Sequence, residues 1–226
     1  MARNTLTAEQ IVRAAIELLD AEGLDGLNMR SLGGRLDSAA TAVYWHVKSK
    51  DNLVRLAVDE VWREVELPDL DALHWRTAAT RMAAGLNAMM NRHPWLVQAI
   101  AGHLLYGEAK ARHDDHMLAV YEKAGFVGSD ADQAAATVFM FALGGAAGAS
   151  ANVALSRRLA RAGGDPDVLM AETVERAGEF AMRYPRLRAR VEKAASGTEY
   201  GQAPEDSFTF GLTAILDGFE RRLAGG

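Results

Sequence analysis

The sequence of 226 residues predicts an all-α protein, with a small N-terminal helix-turn-helix unit followed by a larger bundle of longer helices. Three observations predict it. Apolar residues recur at helical spacing along nearly the whole chain, caps and stop signals punctuate them, and no stretch alternates apolar with polar residues as a half-buried strand would.

Taken in order, Thr7 and Gln10 form a capping box, Ile11, Ala14, Ala15, Leu18 and Leu19 share one face, and Gly23 supplies a stop for the first helix. Asn28 caps a short second helix with Met29, Leu32 and Leu36 on one face, broken by Asp37 and Ser38. A short third helix runs from about Ala39 to His46, and Ser49 caps a fourth from Lys50 to about Glu66, ended by Pro68. Two short helices across a tight turn, braced by a first helix and followed by a long one, make a helix-turn-helix unit. Beyond Pro68, Trp75, Ala78, Ala79, Met82, Leu86, Met89 and Met90 line a helix that stops before Pro94, which opens the next. A helix over about 107–124 ends at Gly125, and Ser129 caps a long uncharged one reaching about Ala162, with Gly163 and Gly164 as its stop. Pro166 starts another, Pro185 breaks or restarts it, 195–204 reads as a loop, and a last helix spans about 205–223. The expected division is residues 1–66 for the first unit, with the fourth helix as link, and 67–226 for the second.

Composition narrows the chemistry. Without cysteine there is no disulfide, thiolate metal site or cysteine nucleophile. No apolar signal segment opens the chain, so the expected location is cytoplasmic. A net charge of −5 excludes coating by nucleic acid over the whole surface, yet residues 27–50 carry Arg30, Arg35, Lys48 and Lys50 against Asp37 alone, a net of +3. Residues 134–155 are uncharged and long enough to span a bilayer, but they are mostly Ala and Gly and contain Ser150 and Asn152; the expectation is a helix buried on most faces by its own protein. Gly144, Gly145 and Gly148 follow no strand and do not form a dinucleotide loop. His113 and His116 share a helix face without a third ligand, so no metal is predicted, and no cofactor motif or HExxH, P-loop or GxSxG sequence points to an enzyme.

The stretch SAATAVYWHVKSKDNL (38–53) sets small residues before a cluster of aromatic and basic ones. Small residues at the start of a helix allow close approach in a major groove about 12 Å wide, while Tyr44, His46, Lys48 and Lys50 suit phosphates. Periodicity alone leaves open whether Tyr44 or Trp45 packs the small core instead. From Leu6 to Trp62 the sequence resembles the N-terminal DNA-binding domain of the tetracycline-repressor (TetR) family, most specifically in VYWHVKSKDNL, and the remainder is similar to that family's all-helical C-terminal domain through RHPWL (92–96) and FTFGLTAILDGFERRL (208–223). The resemblance implies operator contacts from Arg30, Ala40, Thr41, Tyr44, Trp45, His46 and Lys50, with Lys48 added from its charge. Asp37 stands where the family commonly has glycine, and Ala42 where a hydroxyl residue is common.

The reading that follows is a dimeric regulator of transcription, a repressor released by a small hydrophobic or aromatic effector. Its partners are double-stranded DNA with a palindromic operator, that effector, and a second copy of the chain, with no membrane. An all-α small-molecule-binding protein or enzyme whose N-terminal unit no longer binds DNA is the alternative. Trp75, Met82, Leu86, Met89, His103 and Met117 are the expected effector lining. Met82 and Leu86 stand where the founding member's polar contacts to tetracycline lie, so tetracycline is not the expected effector. Two apolar stripes are expected at the dimer seam: Ala142, Gly145, Ala149 and Val153 on the long helix, and Phe208, Leu212, Ile215 and Phe219 on the last.

Overall fold

The computed structural model describes residues 6–161, 163, 165–195 and 204–225. Among them are eleven helices and no strand: α1 (Ala8–Gly26), α2 (Met29–Arg35), α3 (Ala40–Val47), α4 (Lys50–Trp62), α5 (Trp75–Arg92), α6 (Trp95–Gly102), α7 (Glu108–Ala124), α8 (Ser129–Arg161), α9 (Pro166–Ala181), α10 (Pro185–Ala195) and α11 (Pro204–Gly225). The expected loop over 195–204 lies, apart from its two end residues, outside the described residues, as does Gly164.

Local chemistry sets most boundaries. Thr7 and Gln10 exchange the two bonds of a capping box, and the side chains of Asn28 and Ser49 accept from the backbone N–H groups of Ser31 and Asn52. Gly23, with φ +72° and ψ −177°, is non-helical and breaks α1 where the sequence places its stop, and a short helical turn follows to Gly26. Gly125, with φ +109°, ends α7 in the left-handed region that a residue without Cβ enters at no steric cost.

One buried cluster runs from Ile11 to Leu216 across both units. Leu18, Leu19, Leu32, Val43, Val47 and Leu53 close the small N-terminal bundle, and Trp62, Met82, Leu86, Trp95 and Val138 continue the core into the larger one. α4 belongs to both: its Leu53 and Val54 are buried in the first unit, whereas Asp59 and Trp62 meet α7.

α8 corrects one expectation. Its buried residues, Ala131, Ala134, Val138, Ala142, Ala146 and Ser150, form a single stripe, and only 22% of its most apolar window is buried. The protein covers one side of this helix rather than most of it. The other side presents Met140, Gly144, Ala147, Gly148 and Ala151 without a charge.

Candidate nucleic-acid interface and effector cleft

The turn between α2 and α3 is built around Gly33. The Ser38 N–H donates to the Gly33 carbonyl at 2.9 Å, and a Cβ on Gly33 would lie 2.7 Å from the Ser38 carbonyl oxygen. No side chain fits between these backbones. Asp37 completes the turn with φ +46°, a conformation in which a non-glycine residue carries some strain. The sequence marks Asp37 as a departure from glycine but gives no sign that Gly33 is the constrained position; only the spacing of α2 against the turn shows it.

α3 turns Val43 and Val47 into the core and leaves Thr41, Tyr44, Trp45 and Lys48 together on the opposite, exposed side. Tyr44 is 47% and Trp45 79% exposed, so neither packs the small core. Among the rings of the described residues, Trp45 meets the edge of His46, with centroids 4.9 Å apart. Such exposure of two large rings wastes burial unless something covers them. The Ala39 N-cap makes no side-chain hydrogen bond, which leaves the first N–H groups of α3 open to an acceptor. Ala40 and Ala42 are half-buried, Ala40 against the core, so Ala40 offers less surface than expected for a contact residue. Arg30 is exposed on α2. Lys50, also exposed, donates from Nζ to the Leu24 carbonyl at 3.0 Å, which ties the start of α4 to the end of α1.

The six residues expected to line an effector site are not gathered round one opening. A cleft of about 240 Å³ opens between α7 and α8, lined by Lys110, His113, Asp114, Met117, Leu118, Asp132, Ala135, Ala136 and Phe139. Met117 alone of the six expected residues lines it. Trp75, Met82, Leu86 and Met89 are buried core residues, because a methionine-rich helical face packs as readily against its own bundle as around a ligand. His103 sits at the end of α6, with Nε2 3.6 Å from Asp51 of α4.

His113 is the polar centre of the cleft. It is 3% exposed, and its Nδ1 lies 3.5 Å from Asp114 Oδ1. A carboxylate only accepts, so Nδ1 carries the proton of that bond, and in the neutral ring Nε2 is an acceptor. Among the described residues Nε2 is buried with no hydrogen-bond partner. Burial pushes the Asp114 carboxyl up, but bonds from His113 and Lys110 outweigh that and hold it below the usual carboxylate range. His116 turns elsewhere, its Nε2 2.8 Å from the Pro68 carbonyl, so the two histidines share a helix but not a site.

Behind the cleft stands α4. Trp62 packs on His113 at 4.8 Å and on Phe139 at 6.2 Å between ring centroids. Asp59 accepts from the backbone N–H of Lys110 at the start of α7, and Arg55 donates to the Tyr106 carbonyl at 3.2 Å while lying over its ring. Three successive turns of α4 are therefore held by the α6–α7 segment and α7.

The residues expected at the dimer seam fall into two groups in the single chain. Ala142 and Leu212 are buried in the chain's own core, and Phe208, Ile215 and Phe219 pack against it. Phe208 stacks on Phe141 at 5.3 Å, and Gly145 lies beside Phe208. The faces left over lie round the same two helices: Gly144, Ala147, Gly148 and Ala151 on α8, and Phe210, Thr213 and Ala214 on α11, with Phe210 79% exposed. Ala149 is exposed and Val153 half-buried, at the margin of this face. Each helix carries two apolar stripes, and periodicity does not say which one the fold uses.

Comparison with known proteins agrees with this architecture. Residues 11–57 match the family described as bacterial regulatory proteins, tetR family, and residues 67–223 match the tetracyclin repressor-like C-terminal domain. The chain is 31% identical to the HTH-type transcriptional repressor DrrR1 of Streptomyces coeruleorubidus over 97% of its own length and 79% of that protein's. It is 37% identical to an HTH-type transcriptional regulator of Saccharopolyspora erythraea over 62% of its length, spanning 59% of that relative, less than two thirds. Among solved structures, ActR of Streptomyces coelicolor in complex with actinorhodin shares the fold with a TM-score of 0.74 at 24% identity, over 96% of each chain.

Proposed function

The chain belongs to the TetR family of bacterial regulatory proteins, and on that premise we propose that it is a homodimeric repressor whose hold on a two-fold operator is released by a small apolar or aromatic effector. Its relatives are transcriptional regulators, which favours this reading over a small-molecule-binding protein or enzyme with an inert N-terminal unit. It acts on DNA in the bacterial cytoplasm, with no membrane involved. Residues 1–66 form the DNA-binding unit and 67–226 the effector-binding and dimerising unit, linked by α4.

The observation that carries the reading is the exposed side of α3, where Thr41, Tyr44, Trp45 and Lys48 stand together and the helix start is uncapped. A recognition helix in the major groove needs such a face: small groups near the bases, larger and charged ones toward the phosphates. Gel shifts with promoter fragments across a salt series test it. Lys50→Ala is expected to weaken binding to all sequences alike and to make the salt dependence shallower by about one unit per half-site. Arg30→Ala is expected to relax preference at one base pair per half-site, at about 1–3 kcal/mol if its contact with guanine is bidentate. If both variants bind a native promoter like the parent, the N-terminal unit does not hold DNA through α2 and the start of α4, and the alternative reading takes over.

The effector fits the α7–α8 cleft, with its apolar body against Met117, Leu118, Ala135 and Phe139 and a hydroxyl or N–H donating to His113 Nε2. Pressure on His113 reaches Trp62, and through α4 it moves the DNA-binding unit. A useful switch needs the effector to favour the non-binding state by about 1–3 kcal/mol. His113→Phe keeps the ring and removes the acceptor, so effector affinity is expected to fall about tenfold while operator affinity without effector is unchanged. Calorimetry with an effector found by screening checks this, and unaltered affinity in that variant moves the site elsewhere.

A further inference from the structure

RHPWL serves neither the α3 face nor the cleft. His93, at the junction of α5 and α6, is 3% exposed and meets two carboxylates of the N-terminal half: Nδ1 is 2.7 Å from Asp20 Oδ1 on α1, and Nε2 is 3.0 Å from Glu64 Oε1 just beyond α4. Trp95 Nε1 donates to the same Asp20 oxygen at 2.7 Å. Arg92 pairs with Glu64, Arg157 of α8 donates to the Asp20 main-chain carbonyl, and Ser150 Oγ donates to the Pro94 carbonyl at 2.5 Å. α1, the α5–α6 junction and the segment just beyond α4 thus meet at one buried imidazole, and α8 is tied to them through the Asp20 and Pro94 carbonyls.

We propose that Asp20 is a positioning residue for operator binding: gripped by His93 and Trp95, it fixes the angle at which α1, and with it α3, is carried on the effector-binding unit. The proposal rests on the DNA-binding reading above. Two copies of α3 must reach half-sites about 34–36 Å apart, so a loosened joint spreads the units over orientations that miss the second half-site. Contact with a single half-site demands no such alignment.

The joint also responds to pH. Both partners of the ring only accept, so both nitrogens must carry protons for the two bonds to stand, which makes His93 an imidazolium. Burial lowers its pKa, while the bond to Asp20, the charge of Asp20 and the same effects from Glu64 raise it by more, so the net direction is up from 6.5. The charged groups around it are Asp20 from α1, Glu64 after α4, Arg92 from α5 and Arg157 from α8. A raised folded-state value means that the contribution is complete below the ordinary histidine range and is lost as pH rises through the raised value.

The test is fluorescence anisotropy of the full-length protein on a duplex carrying the two-fold operator and on one carrying a single half-site, between about pH 6 and 9. Asp20→Asn and His93→Gln are each expected to weaken operator binding about tenfold and leave half-site binding unchanged. The operator-to-half-site ratio of the parent is expected to fall with rising pH, and that of the His93→Gln variant to stay flat. Asp20 is part-exposed, so Asp20→Asn keeps the test open should His93→Gln fail to fold. Variants that bind the operator like the parent, or that lose half-site and operator binding equally, overturn the positioning role. A parent protein that binds neither duplex removes the DNA-binding reading itself.

Discussion

Gly148→Glu is expected to yield a folded monomer that no longer holds its operator. Gly148 lies on the outer side of α8, and a Cβ there meets nothing within 4 Å, so the chain's own fold accepts the side chain. Within a helix, glutamate is the better residue by several tenths of a kcal/mol. Across a two-fold axis the change has the opposite sign. In the proposed dimer, Gly144 and Gly148, both exposed, would let two copies of α8 approach closely, and a carboxylate on each copy would be brought into a dry seam beside its twin. A monomer contacts one half-site, and losing the second, linked contact costs about a hundredfold or more in affinity. Sedimentation checks the first step and gel shift the second. A variant that sediments as a dimer would place the seam on another face.

Gly33→Ala is expected to have the next largest effect, through geometry alone. The added methyl would stand 2.7 Å from the Ser38 carbonyl and 3.2 Å from the Ala40 nitrogen, both of them backbone atoms that cannot rotate aside. Helix propensity favours alanine here by about 1 kcal/mol, but relieving the contact means moving α3 away from α2. The unit is expected to lose about 1–3 kcal/mol of stability and to bind operator about a hundredfold less well, since α3 no longer enters the groove at its proper angle. Gly34→Ala is the control, because its Cβ position is open. Equal operator binding by the two variants would show that the turn is not this tightly constrained.

The helix-turn-helix unit was legible in the sequence because its determinants are neighbours along the chain. Thr7 with Gln10, Asn28 with Ser31 and Ser49 with Asn52 are three-residue cap relations, and the heptad-like apolar spacing of α1 and α5 marks each buried face directly. The aromatic and basic run that begins in the second half of α3 and continues to Lys50 was visible for the same reason. The cleft was less so. In the sequence His113 stands out only by its spacing from His116, yet in the fold it meets Asp114 and Trp62, and no sequence pattern marks its Nε2 as left without a partner among the described residues.

The order of the helices among the described residues, most of their caps, and the family they compose follow from the sequence by itself, because capping, turn chemistry and hydrophobic period act over a few residues; α4, which ends at Trp62 rather than near Glu66, and Ser129, which opens α8 rather than capping it, do not. Only the tertiary structure decided which of two apolar stripes on α8 and α11 turns inward, which methionines of α5 and α7 are core and which face a cleft, and why RHPWL is there. Those outcomes depend on what lies across from a side chain. Periodicity shows that Ala142 and Ala146, or Gly144 and Gly148, share a face; that the bundle buries the first pair and leaves the second open is a property of packing. Asp20 and His93 stand 73 positions apart, and nothing local to either announces the other.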